Sequence, residues 1–216
     1  MPIDTVNVII FDVDGTLVDS KDDIVKAMNY ALREVGAEER EPERIVSYIG
    51  TGARDLVKKS LGKRHGKLFD KAVKIFSEYY VKHSADKSKL YPHVKEVLGH
   101  FKYKRKFILT NRYRRFADVT LKELGIRGYF EDIIGGDDES CLKPSACVLD
   151  RALPKMKIDK KEALIVGDMA IDVNTGKNSG VKTCWVTYGL GKKEDVEPLR
   201  PDYIIDDIIE LKDIIN

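Results

Sequence analysis

The 216-residue sequence predicts a doubly wound, mainly parallel α/β sheet that carries an inserted α-helical segment. Three observations point there. Short apolar runs rich in β-branched residues alternate with helical patterns, as crossovers between parallel strands require. The runs are apolar at almost every position, which suits strands covered on both faces. One stretch, from about residue 20 to residue 84, breaks the alternation with helical periodicity and no convincing strand.

The first strand is read over Val6–Phe11 and runs directly into "DVDGTLVDS". In the helical stretch, Ile24, Met28, Ala31, Leu32 and Val35 share one helix face, and Leu68, Ala72, Ile75, Phe76 and Tyr79 share another. Gly36, Pro42, the Gly50–Gly52 pair and Gly62 punctuate it. The α/β pattern resumes near "LYPHVKEVL", with strands over Phe107–Thr110, Asp132–Ile134, Ala163–Val166, Thr183–Thr187 and Tyr203–Ile205. Helices are expected after Arg112 (to about Leu124), after Pro144 (to about Leu153), from Ile171 (to about Asn178) and from Asp207.

Bulk composition excludes several classes. Net charge is +2, with both signs mixed along the chain and no basic block of the kind nucleic acid attracts. No apolar run approaches the roughly 18 residues of a membrane span. "MPIDTVNVIIF" lacks the features of a leader, so a cytoplasmic protein is expected. Cys141, Cys147 and Cys184 are odd in number and form no CxxC pair. They read as small thiols, buried or half-buried, rather than a disulfide framework or a zinc site. Gln is absent while charged residues are abundant, a pattern compatible with a heat-adapted source.

The chemistry concentrates at strand ends. Asp12 and Asp14 lie two apart, so an extended chain would place them on one face, where like charges about 4 Å apart repel by roughly 4 kcal/mol near a protein surface. The second strand ends at Thr110-Asn111-Arg112, and the fourth ends in "VGDMAID", with Asp168 and Asp172. "CLKPSA" sets Lys143 before a proline suited to opening a helix. In a doubly wound sheet such ends gather around one crevice, where ligands bind. Each residue also has an ordinary use. Thr110 favours strands, Lys143 suits a solvated surface, and Asp168 and Asp172 suit a helix start. Together, several carboxylates, an ammonium and a hydroxyl match a hard cation and a phosphate. Mg²⁺ prefers oxygen ligands and would relieve the repulsion, leaving one carboxylate to attack phosphorus and a second to handle protons. An EF-hand fails on spacing: with Gly15 at the sixth loop position, the first is Ile10 and the twelfth Lys21. No Walker A sequence is present, and "GTGARDL" contains only one GxG, so neither a P-loop nor a dinucleotide fingerprint is supported.

The ordered set Asp12-Val13-Asp14-Gly15-Thr16, Thr110, Lys143-Pro144 and Gly167-Asp168 with Asp172 resembles the haloacid dehalogenase superfamily over nearly the whole chain. Within it, "YIGTGARDLV", "LYPHVKEVL", "VGDMAIDV", "GVKTCWVTYGLG" and "PDYIIDDIIEL" resemble the phosphoglycolate phosphatase group. The resemblance implies a Rossmann-like core over residues 1–16 and 87–216 and a small helical cap over 17–86. It implies that Asp12 is the nucleophile and Asp14 the acid and base. Mg²⁺ would be held by Asp12, the Asp14 main-chain carbonyl and Asp168, with Asp172 supporting or ligating. Thr110 and Lys143 would hold the phosphoryl group, with Asn111 beside them and Gly15 letting the backbone turn so that amides face phosphate oxygens. Met169 stands where relatives often carry Ser, and Arg112 where they often carry Lys.

An acid at Asp14 favours phosphate esters, because relatives that dehalogenate or cleave phosphonates lack one there. Relatives of the β-phosphoglucomutase type carry a histidine where this chain has Ile24, which disfavours a sugar-phosphate mutase. Pyrophosphate and nucleoside monophosphates remain open as substrates, as does a non-catalytic binding role. The expected activity is Mg²⁺-dependent hydrolysis of a small phosphate ester, with 2-phosphoglycolate the best single guess. Arg54, beside the Gly50–Gly52 turn, is the first candidate to pair with a substrate carboxylate, and Lys21 a weaker one. Neither a nucleic acid nor a membrane partner is expected, and the chain is read as a monomer or homodimer.

Overall fold

A computed structural model describes residues 6–216, with backbone only at 63–65. The first five residues of the expected core segment 1–16 lie outside the described residues. Six parallel strands form the main sheet: β1 (Val8–Phe11), β4 (Arg105–Leu109), β5 (Asp132–Ile134), β6 (Ala163–Gly167), β7 (Lys182–Val186) and β8 (Tyr203–Ile205). Their order is β5-β4-β1-β6-β7-β8. Side chains of β1 alternate as strand geometry dictates. Ile9 and Phe11 enter one apolar layer with Val97 and Leu121, while Val8 and Ile10 enter the opposite layer with Leu149 and Leu153. Both faces are therefore covered, which is why the strand runs are apolar throughout.

The connections leave β1 toward β4 and leave β6 toward β7, so the winding direction reverses between β1 and β6. The carboxyl ends of these two neighbours form the topological switch point, the usual place for a ligand in such a sheet. The helices following the insert are α5 (Val94–His100), α6 (Arg114–Glu123), α7 (Cys147–Lys155), α8 (Ala170–Ser179), α9 (Lys193–Val196) and α10 (Leu211–Ile214).

Between β1 and β4 lies the helical insert, with α1 (Lys21–Glu34), α2 (Pro42–Val46), α3 (Ala53–Leu61) and α4 (Phe69–His83). It has its own apolar centre, in which Ile24, Met28 and Leu32 of α1 meet Leu56 and Leu61 of α3 and Phe76 and Tyr80 of α4. Phe116 of α6 also packs into it. The chain enters and leaves the insert through a two-stranded antiparallel ribbon, β2 (Val18–Asp19) against β3 (Lys89–Leu90).

Two expectations are corrected. Cys141 and Cys147 form a disulfide, with Cα atoms 5.8 Å apart, and Cys184 alone is a buried free thiol. Their six-residue separation carries no pairing signal, and it is the turn between them that brings the two side chains together. That turn also delays the helix expected from Pro144. The Ser145 N–H donates to the Leu142 carbonyl, 2.8 Å, across Lys143-Pro144, and regular helix begins only at Cys147.

Candidate active site

Three residues stand immediately beyond adjacent strand ends: Asp12 after β1, Thr110 after β4 and Asp168 after β6. Asp172 lies in the first turn of α8, where its carboxylate accepts from the Met169 N–H at 3.0 Å. Lys143 reaches in from the disulfide-bracketed turn. Its ammonium lies 3.0 Å from Asp12 Oδ1 and 2.6 Å from Asp172 Oδ1. Asp12, Asp168 and Asp172 are buried, and each offers an oxygen within 4.8 Å of the others'.

Burial in a low-dielectric crevice penalises like charges held this close. Desolvation pushes Asp12 well above the usual carboxylate range, against the pull of Lys143. Burial, then the Asp172 charge, push Asp168 up to about 7. Burial alone would lower Lys143, but the attraction of Asp12 and Asp172 prevails and raises it. With Asp14 included, four buried carboxylates face two buried cations, Lys143 and Arg112. An all-oxygen donor set with surplus negative charge fits a divalent hard cation.

The loop after β1 folds back so that Thr16 Oγ1 donates to Asp168 Oδ1, 2.8 Å. The Leu190 and Gly191 amides donate to Asp168 Oδ2 at 2.7 and 3.3 Å. Trp185 Nε1 donates to the Asp168 carbonyl at 2.9 Å. The Thr16, Leu190 and Gly191 donors fix the aspartate side chain in one direction, and Trp185 holds its main chain. Sequence reading missed them. The only signal was the "TYGLG" stretch after β7, a glycine-flanked loop at another strand end, and main-chain amides carry no residue-type signature.

The Asp14 carboxylate points elsewhere. Its Oδ1 accepts from Ser20 Oγ and from Arg112 Nη1, the latter at 2.9 Å. Each of the two early aspartates thus has a cation of its own, Lys143 for Asp12 and Arg112 for Asp14. Arg112 also donates to the Tyr80 hydroxyl of α4, and its guanidinium stands over the Tyr80 ring, 4.8 Å from the centroid. Burial lowers its proton affinity, but Asp14, Tyr80 and Asp12 together outweigh this and raise it.

Asp12, Asp14, Thr110, Asn111, Arg112 and Lys143 line one narrow cavity of about 40 Å³ between the sheet and the insert. Its insert-side wall is apolar, with Ile24, Ile49, Leu56 and Phe76. Asn111 uses its amide structurally. Nδ2 donates to the Gly50 and Lys143 carbonyls, each 3.0 Å, and Oδ1 accepts from the Lys143 N–H at 2.8 Å. Arg54 is not in this lining. It pairs with Glu139 at 2.7 Å and Asp70 at 3.6 Å on the outer side of the insert. Lys21 pairs with Asp19, 3.4 Å away, and is half exposed. Met169 packs against the insert turn, its Sδ 2.8 Å from where a Cβ on Gly50 would stand.

The sequence model of the haloacid dehalogenase-like hydrolases matches residues 9–186, spanning Asp12, Asp14, Thr110, Lys143, Asp168 and Asp172. The chain belongs to that family. It is 33% identical over 211 residues to the phosphoglycolate phosphatase of Aquifex aeolicus, covering 95% of this chain and 96% of the relative. It is 33% identical over 223 residues to that of Chromobacterium violaceum, covering 100% and 99%. The crystal structure of a Haemophilus somnus protein described as a predicted phosphoglycolate phosphatase superposes with TM-score 0.91 at 26% identity, covering 98% of each chain.

Proposed function

We propose that this hydrolase is a Mg²⁺-dependent phosphatase acting on a small phosphate monoester, 2-phosphoglycolate first among the choices. The observation that carries the reading is the Lys143 ammonium between Asp12 and Asp172 at the switch point, beside Asp168. The named relatives support the substrate class.

In this reading the insert acts as a cap over the crevice, excluding water during transfer. One oxygen of Asp12 attacks phosphorus as the bond to the ester oxygen breaks. Asp14 gives its proton to that oxygen, and the alcohol leaves neutral. Asp12 then carries the phosphoryl group as an aspartyl-phosphate. Water attacks phosphorus, Asp14 takes its proton, and inorganic phosphate leaves with the Asp12 carboxylate free and Asp14 protonated again. Lys143 and the Thr110 hydroxyl hold phosphoryl oxygens as charge shifts among them, and Lys143 keeps Asp12 aimed. Asp12, Asp168 and Asp172, with the Asp14 main-chain carbonyl, would hold Mg²⁺. When bound, the ion would neutralise the surplus charge and polarise a phosphoryl oxygen.

Ile24 lines the cavity where a mutase would need a titratable side chain, and this favours hydrolysis over isomerisation. Phosphate release should be measured with Mg²⁺ on 2-phosphoglycolate, sugar phosphates, pyrophosphate and nucleoside monophosphates. Turnover is expected on the small anionic ester. Asp12→Asn is expected to lower it by at least about 1,000-fold without loss of fold, since no other carboxylate replaces a nucleophile. Full activity in that variant, or release from none of the panel, would overturn the reading. Isomerised sugar phosphate appearing faster than free phosphate would replace it with a mutase.

A further inference from the structure

We infer that Arg112, rather than Arg54 of the insert, is the residue that recognises a carboxylate on the substrate. The inference rests on the phosphatase reading above and deepens it.

A substrate in this cavity has a phosphoryl end at Asp12 and Lys143 and a distal end beneath the insert. Among the described residues lining the cavity, the cationic side chains are Lys143 and Arg112. The Lys143 ammonium is engaged by two carboxylates at the phosphoryl end. Arg112 is engaged by one, through Nη1 to Asp14 at 2.9 Å. Its second terminal nitrogen, Nη2, meets only hydroxyls, that of Tyr80 and that of Thr120 at 3.4 Å. Hydroxyl oxygens are neutral acceptors, whereas a carboxylate on the same nitrogen adds the attraction of a full opposite charge. The Tyr80 hydroxyl, once displaced as acceptor, still has a proton to donate to the newcomer. Asp14 on Nη1 meanwhile holds the guanidinium plane fixed, so little freedom is lost on binding.

The rest of the wall agrees with this assignment. On the same cavity wall the insert presents Ile24, Leu56 and Phe76, surfaces suited to a short methylene and not to a hydroxylated ring. Arg54 cannot serve without leaving Glu139, 2.7 Å away, and it lines the outer grooves instead. A compact acid with a phosphate on one end and a carboxylate on the other matches a lining that combines lysine, arginine and an apolar wall.

The test compares kcat/KM for 2-phosphoglycolate and for ethyl phosphate, which keeps the two-carbon ester and lacks the carboxylate. Both are measured with Mg²⁺ in the wild type, Arg112→Lys, Arg112→Met and Arg54→Ala. The wild type is expected to prefer the carboxylated ester by at least about 100-fold, the order of one well-placed charged pair. Arg112→Met should reduce that preference at least tenfold, mainly through KM for 2-phosphoglycolate, whatever it does to turnover of both esters. Arg112→Lys keeps the charge at the site and is the variant that decides if the Met protein does not fold; an intermediate preference is expected. Arg54→Ala should keep the full preference. An unchanged ratio in both Arg112 variants, or its collapse in Arg54→Ala, overturns the assignment. So does a wild type that cleaves both esters equally well, while the phosphatase reading survives. A wild type that cleaves neither ester overturns the phosphatase reading and the assignment with it.

Discussion

Gly15 shows how tightly the crevice is drawn around one aspartate. Its backbone stands at φ +87°, in the left-handed region, and a Cβ added there would lie 2.2 Å from Asp168 Oδ2. Neither an L side chain's conformation nor its volume fits. Gly15→Ala is therefore expected to keep the fold, at a cost of about 1–3 kcal/mol in backbone strain, and to turn Asp168 away from Thr16 and Leu190. Mg²⁺ affinity by calorimetry and turnover should fall together; normal affinity would show that Asp168 tolerates the displacement. At this scale the acids and Lys143 were legible because each follows an apolar strand or precedes the one proline of its loop. Thr16 and Ser20 were not, since a hydroxyl near a strand end has many uses. The two arginines differ in another way. Arg54 and Arg112 have the same chemistry, and their partners decide between them: Glu139 and Asp70 hold one outside, Asp14 holds the other inside. Those partners are 85, 16 and 98 positions distant, beyond any local pattern.

The element that carries Lys143 is a short turn closed at both ends. The Cys141–Cys147 bond brackets it, and Asn111 holds the Lys143 main chain from the β4 side. Closing a loop of this size removes about 2 kcal/mol of chain entropy from the unfolded state. Cys147→Ser is expected to cost that amount, read as a fall in Tm of about 4–8 °C for a chain of this length. The same fall should follow treatment of the wild type with reductant, and an unchanged Tm in both would remove the bond from the stability of the turn. Strand positions were readable to within two residues because long-range pairing confirms the apolar runs. The helix after Pro144 was misplaced by two residues because Pro144 marks a permissible helix start without excluding a turn. The β2–β3 ribbon escaped notice altogether, since two residues per strand are too few to show alternation.

On the scale of the whole molecule, the crevice is a reservoir of unfavourable charge buried at the centre of the sheet. Asp168 in the folded, metal-free chain takes its proton near pH 7, against about 3.9 for a free aspartate. The folded state thus binds that proton more tightly than the unfolded state, and its contribution to stability falls as pH rises from about 4 to 7, then levels off. With a chelator present, the Tm difference between wild type and Asp168→Asn should shift against the wild type across that window. Mg²⁺ should reverse the shift above pH 7; a flat difference without metal would contradict the sign. The alternating core was legible as a whole because a parallel sheet demands the same pattern in every unit, and the helical insert was legible as the place where that pattern stops. How the insert sits was not, because Asn111 to Gly50, Arg112 to Tyr80 and Phe116 in the insert's apolar centre are contacts between distant segments. The β2–β3 ribbon has one more consequence. Since the outgoing and returning chains run side by side, residues 20–88 begin and end at nearly the same point in space. A different helical segment could be spliced there without disturbing a single strand of the sheet, so the insert can diverge while the strand ends beneath it are inherited intact.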